Sequence, residues 1–212
     1  MKPAARRLTR DESRAQTRQR LLEAAARVIA HEGFGGASVE EIAATAGFTR
    51  GAFYSNFKSK DELLLELLRR EKDAMQEELA RVFAGSGGSA AEPAIEQRLL
   101  DFYGQLYRDN DCFLYWTEAK LLAARDKRFR GALNALLRED RARIAALVTA
   151  YRERTGTSSD TAPRDVAIAC MAMVDGMRFL HLIDAAEIGD AVADRVLRDF
   201  FSRMALARGS AT

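Results

Sequence analysis

Apolar residues recur at helical spacing along nearly the whole chain, and a serine or threonine precedes each of the first four runs. Such residues cap helix N-termini because their side-chain oxygens accept the free backbone N–H groups of the first turn. The pattern predicts four N-terminal helices with the caps Thr9, Ser38, Thr49 and Ser59. These helices are expected to end near Gly33, near Gly47, at Asn56 and near Ala84.

The second and third helices are short and are joined by a turn at residues 47–49. This arrangement predicts a helix-turn-helix, in which the second helix of the pair reads DNA. Phe53 and Phe57 share one face and are expected to pack inward. Gly51 and Ala52 leave the helix start bare, so the backbone can approach a base edge. The side chains left to face water or DNA are Thr49, Arg50, Tyr54 and Ser55. An amphipathic helix with a merely solvated face is the alternative.

The remainder of the chain predicts a second helical body. Residues 85–91 are rich in glycine and serine and form a joint without the Gly-Lys-Ser/Thr of a phosphate-binding loop. Helices are predicted from Pro93 and at about 112–124, 126–154, 163–183 and 190–207. The last two carry more apolar surface than a single contact needs, and the excess is predicted to pack between subunits. The predicted fold class is all-α.

Composition and charge exclude few classes of protein. The 212 residues are 48% hydrophobic and 30% charged with three prolines, which favours a globular helical chain over a disordered or β-rich one. The net charge of +2 does not demand a nucleic-acid partner. Residues 1–20, however, hold seven basic residues against two acidic ones, which is consistent with a solvated tail or with an arm that contacts phosphate.

The sequence contains few residues of the kinds that form catalytic or metal sites in other proteins. Cys112 and Cys170 form no CxxC motif, which predicts a reduced, cytoplasmic chain. No run is expected to approach a membrane span, and no apolar signal core follows the basic N-terminus. Nucleophile elbows and metal-ligand spacings are missing from the sequence, so neither an enzyme, a metal site nor a cofactor is predicted. Asp175, Arg178 and His181 are three residues apart and form either a structural group or polar contacts to a ligand.

The segment SVEEIAATAGFTRGAFYSNFKSKDELL resembles the DNA-binding signature of the TetR family of bacterial transcriptional regulators. The resemblance covers about Leu21 to Leu68 and implies that Tyr54 and Lys60 grip phosphates while residues 49–52 face bases. Asn56 stands where the family often has histidine, but asparagine can still donate to a phosphate. The DNA-binding residues that the resemblance implies, with Ala52 added, are Ser38, Thr49, Arg50, Gly51, Ala52, Tyr54, Ser55, Asn56 and Lys60.

The resemblance also implies a function. It implies a sequence-specific DNA-binding transcriptional regulator that acts as a repressor. This repressor would be a homodimer, formed through the last two helices, that binds a palindromic operator in double-stranded DNA and is released by a small-molecule effector. The alternative is an effector-independent DNA-binding protein controlled by a protein partner. The implied organisation is a mobile basic arm at 1–8, a helix-turn-helix domain at 9–58, a connecting helix at 59–84 and an effector-binding and dimerisation domain at 85–212.

The effector site is expected among the middle helices of the second domain. Aromatic and methionine side chains there favour a largely apolar or aromatic ligand, with a few polar residues to orient it. The predicted effector-binding residues are Phe102, Tyr103, Phe113, Trp116, Met173, Met177, Arg178 and His181.

Overall fold

The computed structural model of the chain describes residues 9–84, 97–99, 101–102 and 110–204. These residues are almost entirely helical and include no strand, which confirms the predicted all-α class. The predicted arm at 1–8, the joint at 85–91 and Tyr103 lie outside the described residues. The helices are α1 (Arg10–Gly36), α2 (Val39–Thr45), α3 (Arg50–Tyr54), α4 (Lys60–Ala84), α5 (Asn110–Arg125), α6 (Lys127–Thr155), α7 (Pro163–Ile183) and α8 (Asp190–Met204).

The backbone contacts divide the chain into two units. The first comprises the residues up to Arg70 together with Asp111–Leu133, and the second comprises Glu71–Asn110 together with the residues from Asn134 onward. Helix α5 therefore belongs to the first unit, and α4 and α6 each contribute residues to both. The domain boundaries predicted at residues 58 and 84 stay predictions.

The capping residues define the helices of the first unit. The Thr9 side chain accepts a hydrogen bond from the Glu12 N–H, and the Glu12 carboxylate accepts one from the Thr9 N–H, which completes the predicted capping box. The inward faces of these helices then form a fully buried apolar core. Its largest members are Leu21, Leu22, Ile29, Ile42, Phe53, Phe57, Leu63, Leu64 and Leu68.

Helix α1 contains a break at Gly33, where φ is 71° and ψ is 162°. A side chain is strained in this region of backbone space, so glycine is the residue that suits it. The helical path resumes to Gly36, and the Ala37 N–H donates to the Gly33 carbonyl at 3.0 Å. The first helical run therefore ends at Gly33, as predicted, and the kink there leads into a further turn that ends at Gly36.

We expect Gly33→Ala to lower the free energy of unfolding by about 1–3 kcal/mol, because alanine would have to adopt this strained backbone conformation. Gly35→Ala is the matched control, since Gly35 has no positive φ and a Cβ there would meet open space. Urea unfolding of both variants checks the difference. Equal midpoints for the two variants would contradict the structural role assigned to the kink.

The second unit has its own core. Its members come from the later part of α4 and from α6, α7 and α8, with Leu99 and Phe102 of the neighbouring helical residues. The largest of the others are Leu79, Ile144, Tyr151, Met177, Leu197 and Phe201. These side chains form one contiguous apolar cluster within the second unit.

A buried polar cluster lies in the same unit, between α4 and α6. The Lys72 side chain is only 1% exposed, and its Nζ donates to the Leu136 carbonyl at 2.9 Å. Gln76 Nε2 donates to the carboxylate of Asp140, and both of these residues are buried. Burial raises the pKa of Asp140, against the opposing effects of the Gln76 hydrogen bond and the positive charge of Lys72.

Helix α7 is long and apolar enough, by length and composition alone, to cross a membrane, with a mean hydropathy of 1.7 over 18 residues. The expectation that no stretch approaches a span was wrong in this respect. The core helix of a soluble protein passes the same test but is mostly buried, whereas 28% of this stretch is buried in the single chain. Its exposed side chains form an apolar stripe that includes Ile168, Phe179, Leu180 and Ile183.

Candidate nucleic-acid interface

Helices α2 and α3 form the helix-turn-helix that the sequence predicts. Ser38 and Thr49 are their N-caps, and the two side chains accept from the N–H groups of Glu41 and Ala52 at 3.1 and 3.3 Å. Gly47, with φ at 78°, makes the turn between the two helices possible. Helix α3 ends at Tyr54 rather than Asn56, because the Asn56 and Phe57 N–H groups both donate to the Phe53 carbonyl and tighten the last turn.

Two buried aromatic rings hold α3 in place. Phe53 and Phe57 are 0% and 1% exposed, and their ring centroids lie 5.8 Å apart. Tyr54 packs edge-on against Phe53 at 5.4 Å, while 48% of its surface remains exposed. The outer face of α3 therefore rests on a rigid base. Its exposed members are Thr49, Arg50, Gly51, Tyr54 and Ser55, with Ala52 half-buried beside them and Ser38 exposed at the start of α2.

Arg50 is held on this face without being buried. Its guanidinium pairs with the Glu40 carboxylate at 2.8 Å and lies 5.5 Å from the centre of the Tyr54 ring. Both charged side chains are more than half exposed. An ion pair of this kind contributes only about 0–1 kcal/mol, so Arg50 can exchange Glu40 for a base edge or a phosphate at little cost.

Asn56, a predicted phosphate contact, points into the protein. It is buried, and its Nδ2 donates to the Ala52 carbonyl at 2.8 Å and to Ser55 Oγ at 3.2 Å. Its backbone carbonyl accepts from Arg18, whose guanidinium also pairs with Glu66 and stacks 4.1 Å from the centre of the Phe57 ring. Arg18 thus joins α1, the end of α3 and α4. Sequence reasoning grouped it only with the basic N-terminal residues.

Lys60, another predicted phosphate contact, is also engaged within the protein. Its ammonium donates to the Phe34 carbonyl and, at 2.6 Å, to the Ala37 carbonyl, and it lies 4.3 Å from the centre of the Phe34 ring. Burial lowers its pKa, and the neighbouring Asp61 opposes that change. In this structure Lys60 therefore caps the end of α1, and its contact with phosphate stays a prediction.

The predicted effector residues fall into both units. Phe102, Met173 and Met177 belong to the apolar cluster of the second unit, and Arg178 is buried there. Phe113 and Trp116 lie on α5 in the first unit, the former buried and the latter half-buried. The structure thus brings three of the set together in one cluster, and the assignment of the whole set to an effector stays a prediction.

The His181 ring makes contacts within the protein through both of its nitrogens. Its Nδ1 lies 2.7 Å from the Ile188 carbonyl, which only accepts, so Nδ1 carries the proton. Its Nε2 lies 3.7 Å from the Asp190 carboxylate at the start of α8.

Within residues 9–84, 97–99, 101–102 and 110–204, no group of three or more His, Cys, Asp or Glu side chains could hold a metal ion. Burial raises the pKa of the Cys170 thiol to about 12, which keeps it protonated.

Comparison with known protein families identifies the family of this helix-turn-helix. Residues 21–67 match the family profile described as bacterial regulatory proteins, tetR family, and residues 108–206 match the profile of the BetI-type transcriptional repressor C-terminal region. The chain belongs to the TetR family. It is a DNA-binding transcriptional repressor of that family, as the sequence predicted, and the family consists of regulators rather than enzymes.

Individual TetR-family proteins resemble most of the chain. The nicotine-responsive transcriptional repressor HdnoR of Paenarthrobacter nicotinovorans is 28% identical over 189 residues, which cover 84% of this chain and 95% of HdnoR. The transcriptional regulator BetI of Agrobacterium fabrum is 26% identical over 185 residues, which cover 87% of this chain and 85% of BetI. The crystal structure of a putative TetR-family regulator from Rhodococcus sp. shares the fold, with a TM-score of 0.73 at 24% identity over 90% of this chain and 99% of its own.

Proposed function

We propose that the chain is a dimeric repressor that reads a near-palindromic operator with α3 and leaves it when a small molecule binds. The exposed outer face of α3, fixed on the buried Phe53 and Phe57, is the observation that carries the proposal. A helix with a bare start can bring its backbone close to base edges in the major groove. The chain would act in the cytoplasm, where the DNA is.

The proposed roles follow from position and exposure. Residues 49–52 would face bases, because they form the first turn of α3. The residues assigned to phosphates are Ser38, Tyr54, Ser55, Asn56 and Lys60. Of these, Ser55, Asn56 and Lys60 would need to exchange internal hydrogen bonds for a phosphate contact, so Tyr54 and Ser38 carry the stronger support.

The effector is proposed to be a largely apolar or aromatic small molecule. The nicotine response in the name of HdnoR supports an aromatic ligand, since HdnoR aligns with most of this chain. Phe102, Met173 and Met177 offer large and adaptable apolar surface in the second unit. Helices α4 and α6 continue from one unit into the other, and α4 directly follows the helix-turn-helix in the chain, so α4 provides a covalent route for a signal.

Substitutions at Arg50 and Tyr54 test whether the outer face of α3 reads the operator. Arg50→Ala should weaken binding to an operator selected from a random duplex pool by about 5- to 150-fold, and it should relax the preference at one base position. Tyr54→Phe should weaken all duplexes alike, because it removes only a phosphate donor. Fluorescence anisotropy at a fixed salt concentration measures both effects.

Arg138→Ala is the matched control, since Arg138 is an exposed arginine on α6. It should bind the operator as the wild type does. If Arg50→Ala and Tyr54→Phe keep wild-type affinity and sequence preference while remaining folded, α3 does not read the operator.

A further inference from the structure

One hydrogen bond joins α5 to the kinked end of α1. The Glu118 carboxylate accepts from the Phe34 N–H at 3.0 Å, across 84 positions of sequence. Gly33 precedes Phe34, and a Cβ built on this glycine would lie 3.4 Å from Glu118 Oε1. The carboxylate therefore fits closely against the kink and supplies an acceptor at the point where the regular helical pattern is interrupted.

Phe34 is held from its other side by Lys60. The Lys60 ammonium donates to the Phe34 carbonyl and to the Ala37 carbonyl, and it lies over the Phe34 ring. Ala37 directly precedes Ser38, the N-cap of α2. A continuous set of contacts thus runs from Glu118 through Phe34 and Lys60 to the start of the helix-turn-helix.

The contact of Glu118 with Phe34 joins the two regions of the chain that match the family profiles. Glu118 lies in residues 108–206, which match the repressor C-terminal profile, whereas Phe34 and Lys60 lie in residues 21–67, which match the DNA-binding profile. Trp116 and Phe113, two of the predicted effector residues, are on the same helix. A ligand that shifts α5 would therefore alter a hydrogen bond between the two matched regions.

We infer that Glu118 is a positioning residue that couples the state of α5 to the orientation of the helix-turn-helix through the Phe34 backbone. The inference rests on the proposed function and specifies its regulation. A change in operator affinity of about 5- to 150-fold is typical of coupling between two sites, and a charged hydrogen bond is strong enough to transmit part of it.

Two measurements on the full-length chain test the inference. Trp116 is the single tryptophan and lies two residues from Glu118, so its fluorescence reports on α5. Addition of a duplex selected by the wild-type protein should change Trp116 fluorescence in the wild type, and this change should be lost in Glu118→Ala even at saturating duplex. Hydrogen exchange at the Phe34 amide should become faster in the same variant.

Two further variants separate coupling from stability. Glu118→Gln keeps a carbonyl acceptor and should retain a Trp116 response, which covers the case in which Glu118→Ala folds poorly. Glu77→Ala removes an exposed glutamate of α4 and should behave as the wild type. A variant that merely lost stability would unfold more easily but would keep the Trp116 response once it was bound to DNA.

The outcomes distinguish the coupling from the proposed function. A folded Glu118→Ala that binds the operator with the wild-type Trp116 response and wild-type Phe34 exchange overturns the coupling alone. A wild-type chain whose Trp116 does not respond to the bound operator overturns it too. If the wild type selects no duplex, the proposed function fails and the coupling fails with it.

Discussion

Lys72→Met is expected to lower the free energy of unfolding by about 3–5 kcal/mol, the usual effect of removing one partner from a buried ionic group. The Lys72 side chain is 1% exposed, and its ammonium bonds the Leu136 carbonyl beside the carboxylates of Glu139 and Asp140. Methionine keeps the length of the side chain but leaves the Leu136 carbonyl and Asp140 without this cation. Urea unfolding measures the loss.

The loss should shrink at acidic pH. Burial already raises the pKa of Asp140 in the folded chain, and removal of the Lys72 charge would raise it further. A carboxyl whose folded pKa exceeds its unfolded value favours the folded state increasingly as the pH falls through the folded pKa. The variant should therefore regain part of its stability where Asp140 becomes protonated.

Lys127→Met is the control, because Lys127 is an exposed lysine at the start of α6. It should change the free energy of unfolding by no more than about 0.5 kcal/mol. The double variant Lys72→Met, Asp140→Leu should recover part of the loss, since it replaces the ionic group by apolar side chains. Equal stabilities for Lys72→Met and Lys127→Met would show that the cluster contributes nothing.

Leu180→Glu is expected to abolish operator binding by separating the subunits. The exposed stripe of α7 includes Ile168, Phe179, Leu180 and Ile183, of which Ile183 is 66% exposed and Leu180 48% in the single chain. If α7 packs against its copy in the second subunit, as the family resemblance implies, the two glutamates would face each other in an apolar contact. Such like-charge contacts cost several kcal/mol, which lowers dimer affinity on the order of 100-fold or more.

Leu121→Glu makes the same chemical change at an exposed leucine of α5 and should leave both dimer and operator binding intact. Sedimentation velocity gives the subunit count, and anisotropy with the selected duplex gives the affinity. A Leu180→Glu chain that sediments as a dimer with wild-type operator affinity would remove α7 from the interface.

The sequence predicted the structural features that depend on residues close together in the chain. Thr9, Ser38 and Thr49 cap the helices expected of them, because a cap depends on residues within one turn. The inward direction of Phe53 and Phe57 followed from their spacing in a short helix. These features together predicted the helix-turn-helix and the exposed face of α3.

The features that the sequence could not predict depend on partners far along the chain. Lys72 and Gln76 lie in the charged middle of α4, where no local pattern predicts burial, and both are buried and bond residues of α6. The sequence predicts a phosphate contact for Lys60 and gives no sign that its ammonium is held by the Phe34 and Ala37 carbonyls. Glu118 gave no local signal, because its partner is 84 residues away.

A hydroxyl-radical footprint on the selected duplex tests the central claim most directly. A dimer that reads a near-palindrome should protect two patches related by two-fold symmetry, with centres about 34–36 Å apart or slightly more, at two chains per duplex. Protection should fade steeply as salt is raised, because phosphate contacts release counterions. A single unpaired patch, or protection that does not depend on sequence, would contradict the account of a dimeric repressor that reads DNA with α3.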